Sequence, residues 1–312
     1  MNIEHRIEDY RRLPLPRLLE LALTAKLAHR GDSFSLCSII NAKSGRCGED
    51  CRFCAQSAHY RTAAPVYPLR DREEIVAAAM EAKRNRAGHF SIVTSGRGLG
   101  EAEIDKVAAT IREIVARVDI KVCASLGILT PSQLRLLKEA GLSRYHHNLE
   151  TSREFFPHMV TTHTFEERIE TIRAAREAGL EVCAGGILGL GENEEDRLSM
   201  AMTLLECGVV SVPLNILIPL PGTPVEHNPP LTAVEILRAI ALYRLIFKEL
   251  PIRLAAGRGE PGMRDFLATA FMAGADGLMI GGYLTQGCRP PEEDHRFVDE
   301  MQTLWRASAA GG

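Results

Sequence analysis

The chain has 312 residues, of which 46% are hydrophobic and 25% are charged, and its formal net charge is −3. This composition is typical of a globular protein with a sizeable core, and the charge gives no electrostatic reason to expect a nucleic acid or an anionic membrane surface as a partner. Residues 1–12 are charged and no stretch of about 18 apolar residues occurs, so we expect neither a signal peptide nor a membrane span and predict a cytoplasmic protein.

Two kinds of segment alternate along most of the chain: short apolar runs and longer runs with helical periodicity. A helical extension is expected over residues 1–33, and Thr164 with Glu167 and Thr232 with Glu235 form capping boxes typical of helix starts. The predicted strands are residues 37–41, 89–94, 120–124, 143–149, 180–185, 209–216, 252–256 and 277–280.

Eight strands alternating with helices predict an α/β fold, a parallel (β/α)8 barrel of the TIM type. We expect one domain over residues 1–312 with a short flexible tail at 308–312. The catalytic groups of such a barrel gather at the C-terminal ends of its strands. A doubly wound open sheet is the alternative.

Three of the eight cysteines, Cys47, Cys51 and Cys54, fall within eight residues. Disulfides are poor candidates in a reducing compartment, so metal binding is the better interpretation. A structural zinc site normally has four ligands, and no fourth Cys or His stands at zinc-finger spacing, although His59 is close. Three thiolates leave one metal position open for another ligand.

The spacing of Cys47, Cys51 and Cys54 resembles the signature of the radical S-adenosylmethionine (SAM) superfamily. The resemblance implies a 4Fe-4S cluster on these thiolates, with SAM bound at the open iron through its amino and carboxylate groups. One electron from the cluster would cleave SAM to a 5'-deoxyadenosyl radical that abstracts hydrogen from an unactivated carbon. A noncatalytic zinc-binding barrel is the competing hypothesis.

A longer set of motifs resembles the biotin synthases within that superfamily, over about residues 35–294. The motifs are NAKSG (41–45), AQSA (55–58), HNLETS (147–152), CAGGILGLGE (183–192), PLN (213–215), PGTP (221–224) and RLAAGR (253–258). The resemblance implies sulfur insertion into dethiobiotin, two SAM molecules and an auxiliary, sacrificial iron-sulfur cluster. It also implies a one-electron donor such as flavodoxin or ferredoxin, and a homodimer. A related radical SAM enzyme acting on an amino-acid-like substrate, such as the methylornithine synthases or the hydrogenase-maturation enzymes, is the alternative.

Three residues central to separate predicted strands could meet inside a barrel: Cys123, Cys183 and Arg253. An arginine there would be costly without a facing anion, and a thiolate-ligated cluster is an anion. The resemblance makes these three the catalytic ligands of the auxiliary cluster. Each cysteine taken alone could instead be an inert core residue.

Ser91 stands where the resemblance leads us to expect a third auxiliary-cluster cysteine. A serine alkoxide would be a poor iron ligand, so we expect Cys37, on the strand leading into the three-cysteine loop, to substitute for it. The auxiliary cluster would then be 2Fe-2S or a larger variant. Cys207 and Cys288 are expected to be incidental.

The resemblance also assigns SAM contacts. Arg168 would bind the SAM carboxylate, for which a planar guanidinium is suited, although it could equally be a solvated charge on a helix. Phe53 would lie near the adenine. Gly185 and Gly186, with Ile187, would let the strand backbone approach SAM.

Asn148, Glu150 and Asn215 match positions that contact the ureido ring of dethiobiotin or the SAM ribose. A cyclic urea needs paired donors and acceptors in an otherwise apolar pocket, which these side chains supply. Glu150 replaces a shorter Asp, and His146 stands where Asn is common in the resembled family.

Overall fold

The computed structural model describes residues 3–281 and 289–310. Its strands are β1 (Ser35–Lys43), β2 (His89–Thr94), β3 (Lys121–Ser125), β4 (Arg144–His146), β5 (Glu181–Cys183), β6 (Gly186–Leu188), β7 (Val212–Ile216), β8 (Ile252–Leu254) and β9 (Gly277–Met279). Its helices are α1 (Ile3–Arg11), α2 (Leu15–Arg30), α3 (Arg72–Arg84), α4 (Glu101–Arg117), α5 (Pro131–Glu139), α6 (Phe165–Glu177), α7 (Glu194–Glu206), α8 (Ala233–Phe247), α9 (Pro261–Arg264), α10 (Leu267–Met272) and α11 (Pro291–Ala310).

All strand pairs are parallel, in the order β5-β4-β3-β2-β1-β9-β8-β7-β6. The two ends of this curled sheet, β5 and β6, are consecutive pieces of one extended segment. Two isolated bridges bring these ends together. Cys183 of β5 bridges to Ser211, just before β7, and Gly186 of β6 bridges to Glu150, which follows β4. The sheet therefore curls around a common interior, which confirms the predicted barrel and excludes the doubly wound alternative.

The break between β5 and β6 falls at Ala184 and Gly185, and the sequence predicted no strand over β6. A Cβ added to Gly185 would lie 1.8 Å from the Pro213 carbonyl oxygen. Only glycine allows this approach of two backbones. The chain bends here, so that β5 pairs with β4 whereas β6 pairs with β7.

Helix starts follow the predicted side-chain caps. The Thr164–Glu167 and Thr232–Glu235 boxes both form, and each threonine hydroxyl accepts from the backbone amide three residues on. α8 ends at Phe247 because Lys248 takes a positive φ of 33°. These helices pack outside the sheet and leave the inward strand positions to form the interior.

Two helices, α1 and α2, precede the first strand, in the region expected to be a helical extension. α2 packs against α8, and its fully buried Lys26 ammonium lies over the Trp305 ring of α11, 2.9 Å from the centroid. α11 continues to Ala310, so the tail predicted from Ser308 is helical that far, and the Ser308 hydroxyl donates to the Leu304 carbonyl within it. No helix in the described ranges is long and apolar enough to cross a bilayer.

Candidate functional site

A cavity of about 370 Å³ opens at the C-terminal ends of the strands and extends down into the barrel. Its wall brings together most of the residues singled out in the sequence. Those lining it are Cys37, Cys47, Cys51, Phe53, Cys54, Ser91, Cys123, His146, Asn148, Glu150, Arg168, Cys183, Ile187, Asn215 and Arg253. Gly185 and Gly186 are the two predicted contacts that do not line it.

The upper part of the cavity holds the three-cysteine loop. Burial raises the pKa of Cys51 and, to about 11, that of Cys54, although the Arg168 charge partly offsets the effect at Cys51. Cys51 and Cys54 are therefore thiols at neutral pH in the metal-free loop, and metal ligation must release their protons.

Arg168 lies on α6 but points inward, with only 9% of its surface exposed. Its Nη1 donates to the Asn148 carbonyl at 2.9 Å and lies 3.8 Å from the Glu150 carboxylate. Its Nε is buried and has no hydrogen-bond partner in the described residues. A buried unpaired donor beside the three-cysteine loop fits an incoming carboxylate.

The residues expected to contact substrate are held in place by backbone bonds. The Asn148 side-chain oxygen accepts from the Gly185 amide at 3.0 Å, and its Nδ2 donates to Glu150 at 3.3 Å. Asn215 Oδ1 accepts from the Ala256 amide at 3.1 Å, and its Nδ2 donates to the Gly186 carbonyl at 3.3 Å. Burial raises the pKa of Glu150, partly offset by Arg168.

The lower part of the cavity holds Cys37, Cys123, Cys183 and Arg253, each buried. Arg253 donates to the Ser35 hydroxyl at 2.8 Å and weakly to Cys183 Sγ at 3.9 Å, while its Nε has no partner in the described part of the chain. All four side chains line the same cavity, and the Arg253 charge partly offsets the burial that raises the pKa of Cys37 and Cys123. A guanidinium with a spare donor among three sulfurs suits an anionic cluster.

The Cys183 thiol differs from its neighbours. Burial alone would raise its pKa, but the contact with His146 and the charges of Arg253 and Arg144 lower it to about 6. Burial raises the pKa of Cys123 to about 12. Cys183 is therefore the thiol of this group held most readily as a thiolate at neutral pH.

Strand register places Cys37 one inward position below Ser91. On β1, Cys37 pairs with His89 and Ile39 with Ser91, and Ser91 pairs in turn with Cys123 on β3. Cys37 thus reaches the same cavity as Cys123 from a deeper level, while Ser91 lies directly beside Cys123.

Gly185 and Gly186 are required for packing inside the protein. A Cβ at Gly186 would lie 2.3 Å from Met200 Sδ and 2.5 Å from the Glu150 carbonyl oxygen. Neighbouring Ile187 does line the cavity. A backbone approach of the two glycines to SAM stays a prediction. Cys207 is buried at the end of α7, away from the cavity, and Cys288 lies outside the described residues.

Sequence reasoning missed several cavity residues. Glu49 and His163 are paired and buried in its wall, and Arg144 donates from Nε and Nη2 to one oxygen of the Glu181 carboxylate at 3.0 and 2.7 Å. The signal available for Glu49 was its position between two cysteines that are predicted to be ligands. His163 carried no signal, because its partner lies 114 residues away in the chain.

Comparison with known proteins gives two family matches. The Radical SAM superfamily matches residues 42–204, and the Biotin and Thiamin Synthesis associated domain matches residues 213–303. The chain is 50% identical over 289 residues to the biotin synthase of Pelotomaculum thermopropionicum, covering 92% of this chain and 90% of the relative. It is 49% identical over 288 residues to that of Thermotoga petrophila, covering 92% and 96%.

Solved structures share the fold at lower identity. A methylornithine synthase superposes with a TM-score of 0.81 at 18% identity, covering 96% of this chain and 95% of the other. The FeFe-hydrogenase maturase HydG from Carboxydothermus hydrogenoformans superposes with a TM-score of 0.78, also at 18% identity, covering 95% and 76%. At this level of identity, the two similarities show only that the barrel fold is shared.

Proposed function

Because the chain belongs to the biotin synthase family of radical SAM enzymes, we propose that it inserts sulfur into dethiobiotin to form biotin. The observation that carries the proposal is a single cavity with two separate groups of three cysteines, one at its mouth and one in its depth. An amino-acid-directed radical SAM enzyme would need only the upper group.

The upper group fits a 4Fe-4S cluster and SAM. Cys47, Cys51 and Cys54 would hold the cluster, and the unpaired Nε of Arg168 would receive the SAM carboxylate. When bound, cluster and SAM supply the 5'-deoxyadenosyl radical. Phe53 would contact the adenine from the loop, and Asn148 and Glu150, which are bonded to each other, would offer polar groups to the SAM ribose.

The lower group fits the auxiliary cluster. Cys37, Cys123 and Cys183 would be its thiolate ligands, with Arg253 completing the set. Ser91 would replace the cysteine expected on β2, and Cys37 would compensate from β1, one position deeper. That change of level favours a cluster that extends further down the barrel than a 2Fe-2S cluster held by a cysteine at position 91 would.

Dethiobiotin would lie between the two groups. Asn148, Glu150 and Asn215 line this middle region, and their side chains offer the donors and acceptors that a cyclic urea requires. The backbone bonds of Asn148 and Asn215 fix the orientation of both amides. The pocket is thereby preorganised for one orientation of the ureido ring.

Family membership also supports a one-electron donor such as flavodoxin or ferredoxin, and a homodimer. The seven cysteines in the described part of the chain are all free thiols. This pattern is typical of the reducing cytoplasm, where we place the protein.

Arg168→Ala is expected to weaken SAM binding by about 1.5–3 kcal/mol, which is roughly 10- to 150-fold in Kd. The variant removes a charge-assisted donor but no cluster ligand, so its iron content should stay that of the wild type. Equilibrium binding of SAM to the reconstituted protein measures the change. Arg173→Ala, an exposed position on the same helix, is the matched control. Unchanged SAM affinity in Arg168→Ala would remove Arg168 from the site.

The proposed function is tested by anaerobic reconstitution followed by reaction with SAM, dethiobiotin and a reductant. We expect biotin and 5'-deoxyadenosine to form together. 5'-Deoxyadenosine without biotin, with both clusters loaded, would favour a different radical SAM substrate. Zinc without sulfide in the isolated protein would favour a noncatalytic barrel.

A further inference from the structure

The acidic residues between the first two ligand cysteines, Glu49 and Asp50, contact a distant segment of the chain. Glu49 Oε2 accepts from the Thr162 hydroxyl at 2.6 Å and is paired with His163 Nδ1. Asp50 Oδ1 accepts from the Thr161 and Thr162 amides at 2.9 and 3.2 Å. The three-cysteine loop is thus bound to residues 161–163.

Residues 161–163 lead directly into α6, which carries Arg168. Thr164 is the N-cap of that helix, so little more than one helical turn separates Arg168 from His163. The two side chains also pack on the same ring: His163 lies edge-on to Phe156 with centroids 5.6 Å apart, and the Arg168 guanidinium lies 5.5 Å from that ring's centroid. Phe156 is 1% exposed, which leaves His163 and Arg168 little freedom to move independently.

Arg97, which follows β2, strengthens the same connection. Its Nη1 donates to the Thr162 carbonyl at 3.1 Å and lies 3.6 Å from Glu49 Oε1. Its Nη2 pairs with Glu167 in the first turn of α6. One guanidinium therefore contacts the loop, the 161–163 segment and the helix.

We infer that the Glu49–His163 contact positions the three-cysteine loop relative to Arg168, and so sets the distance between the open cluster position and the group that receives the SAM carboxylate. The inference rests on the proposed function, because it assumes SAM at this site. Glu49 is 8% and His163 7% exposed, both in the cavity wall. They are positioning residues, since the polar contacts of their side chains are with each other, Thr162 and Arg97.

Glu49→Ala in the reconstituted enzyme tests this inference. We expect its iron content to match the wild type, while SAM affinity falls about 10-fold, a typical cost of losing a residue that orients a ligand. His163→Asn, which keeps a side-chain N–H near the carboxylate, should retain most of the affinity, whereas His163→Phe should lose it. Glu194→Ala is the matched control, because that carboxylate also joins distant segments, through Arg11 and Arg238, away from the cavity.

A double-mutant cycle separates positioning from general destabilisation. If Glu49 acts through Arg168, the loss of SAM affinity in Glu49→Ala should be mostly absent when Arg168 is already alanine. Additive losses, or unchanged SAM affinity in Glu49→Ala, would overturn the inference. Amide hydrogen exchange of residues 47–54 can be measured in the metal-free protein, without cluster or SAM. Its rate should rise in Glu49→Ala. Failure of the wild type to bind SAM would instead refute the proposed function.

Discussion

Replacing Cys47, Cys51 or Cys54 with alanine is expected to reduce SAM cleavage to background. Each variant leaves two thiolates where three are needed to hold the cluster. Burial raises the pKa of Cys51 and Cys54, so where these two thiols remain after the loss of another ligand they should stay protonated more readily. The measurement is 5'-deoxyadenosine formed under reducing, anaerobic conditions.

Cys207→Ala is the control for this series, since Cys207 is buried at the end of α7 and does not line the cavity. It should cleave SAM at the wild-type rate. Normal 5'-deoxyadenosine formation by any of the three loop variants would show that the loop does not hold the cluster.

Cys37→Ala is expected to abolish biotin formation while SAM cleavage continues. The substitution removes a thiol from the lower group, next to Cys123, Cys183 and Arg253, and leaves the upper group untouched. The variant should retain about four irons per chain, as one 4Fe-4S cluster requires, and lose the auxiliary iron. Iron and sulfide counts, with product analysis for 5'-deoxyadenosine and biotin, measure both effects.

A packing role for Cys37 would give another result. Cys37 contacts Ala255 and Met279 inside the barrel, so its removal would then lower thermal stability with the full iron content retained. Biotin formed by Cys37→Ala with a full complement of iron would show that Cys123, Cys183 and Arg253 hold the auxiliary cluster with another partner. Ser91→Cys is a useful companion, because Ser91 lies directly beside Cys123 and could supply a thiol there.

The barrel was predictable because its signals are local. Strand β2 and the capping boxes at Thr164 and Thr232 occur where the sequence places them. The split between β5 and β6 was not predictable, since it depends on how closely Gly185 approaches Pro213 on another strand. The end of α8 was also not predictable, because it depends on a positive φ at Lys248, a residue type that does not usually adopt one.

The residues of the candidate site were likewise predictable where their signals are local in the sequence. Residues that share a short motif, such as Cys47, Cys51 and Cys54, could be predicted from their spacing to lie in one site, and all three line the cavity. Inward strand positions, such as Cys123 and Arg253, could be grouped once a barrel was predicted. The contact of Glu49 with His163 spans more than a hundred residues and follows no periodicity, so only the folded chain reveals it.

The iron and sulfide content of the fully reconstituted wild-type protein, measured with biotin formation on the same sample, shows whether the cavity holds one cluster or two. Two groups of thiolates predict more iron than the roughly four atoms of one 4Fe-4S cluster, and biotin formed in proportion to the additional cluster. A protein that binds only about four irons per chain, cleaves SAM and forms no biotin would show that the lower group of cysteines holds no auxiliary cluster.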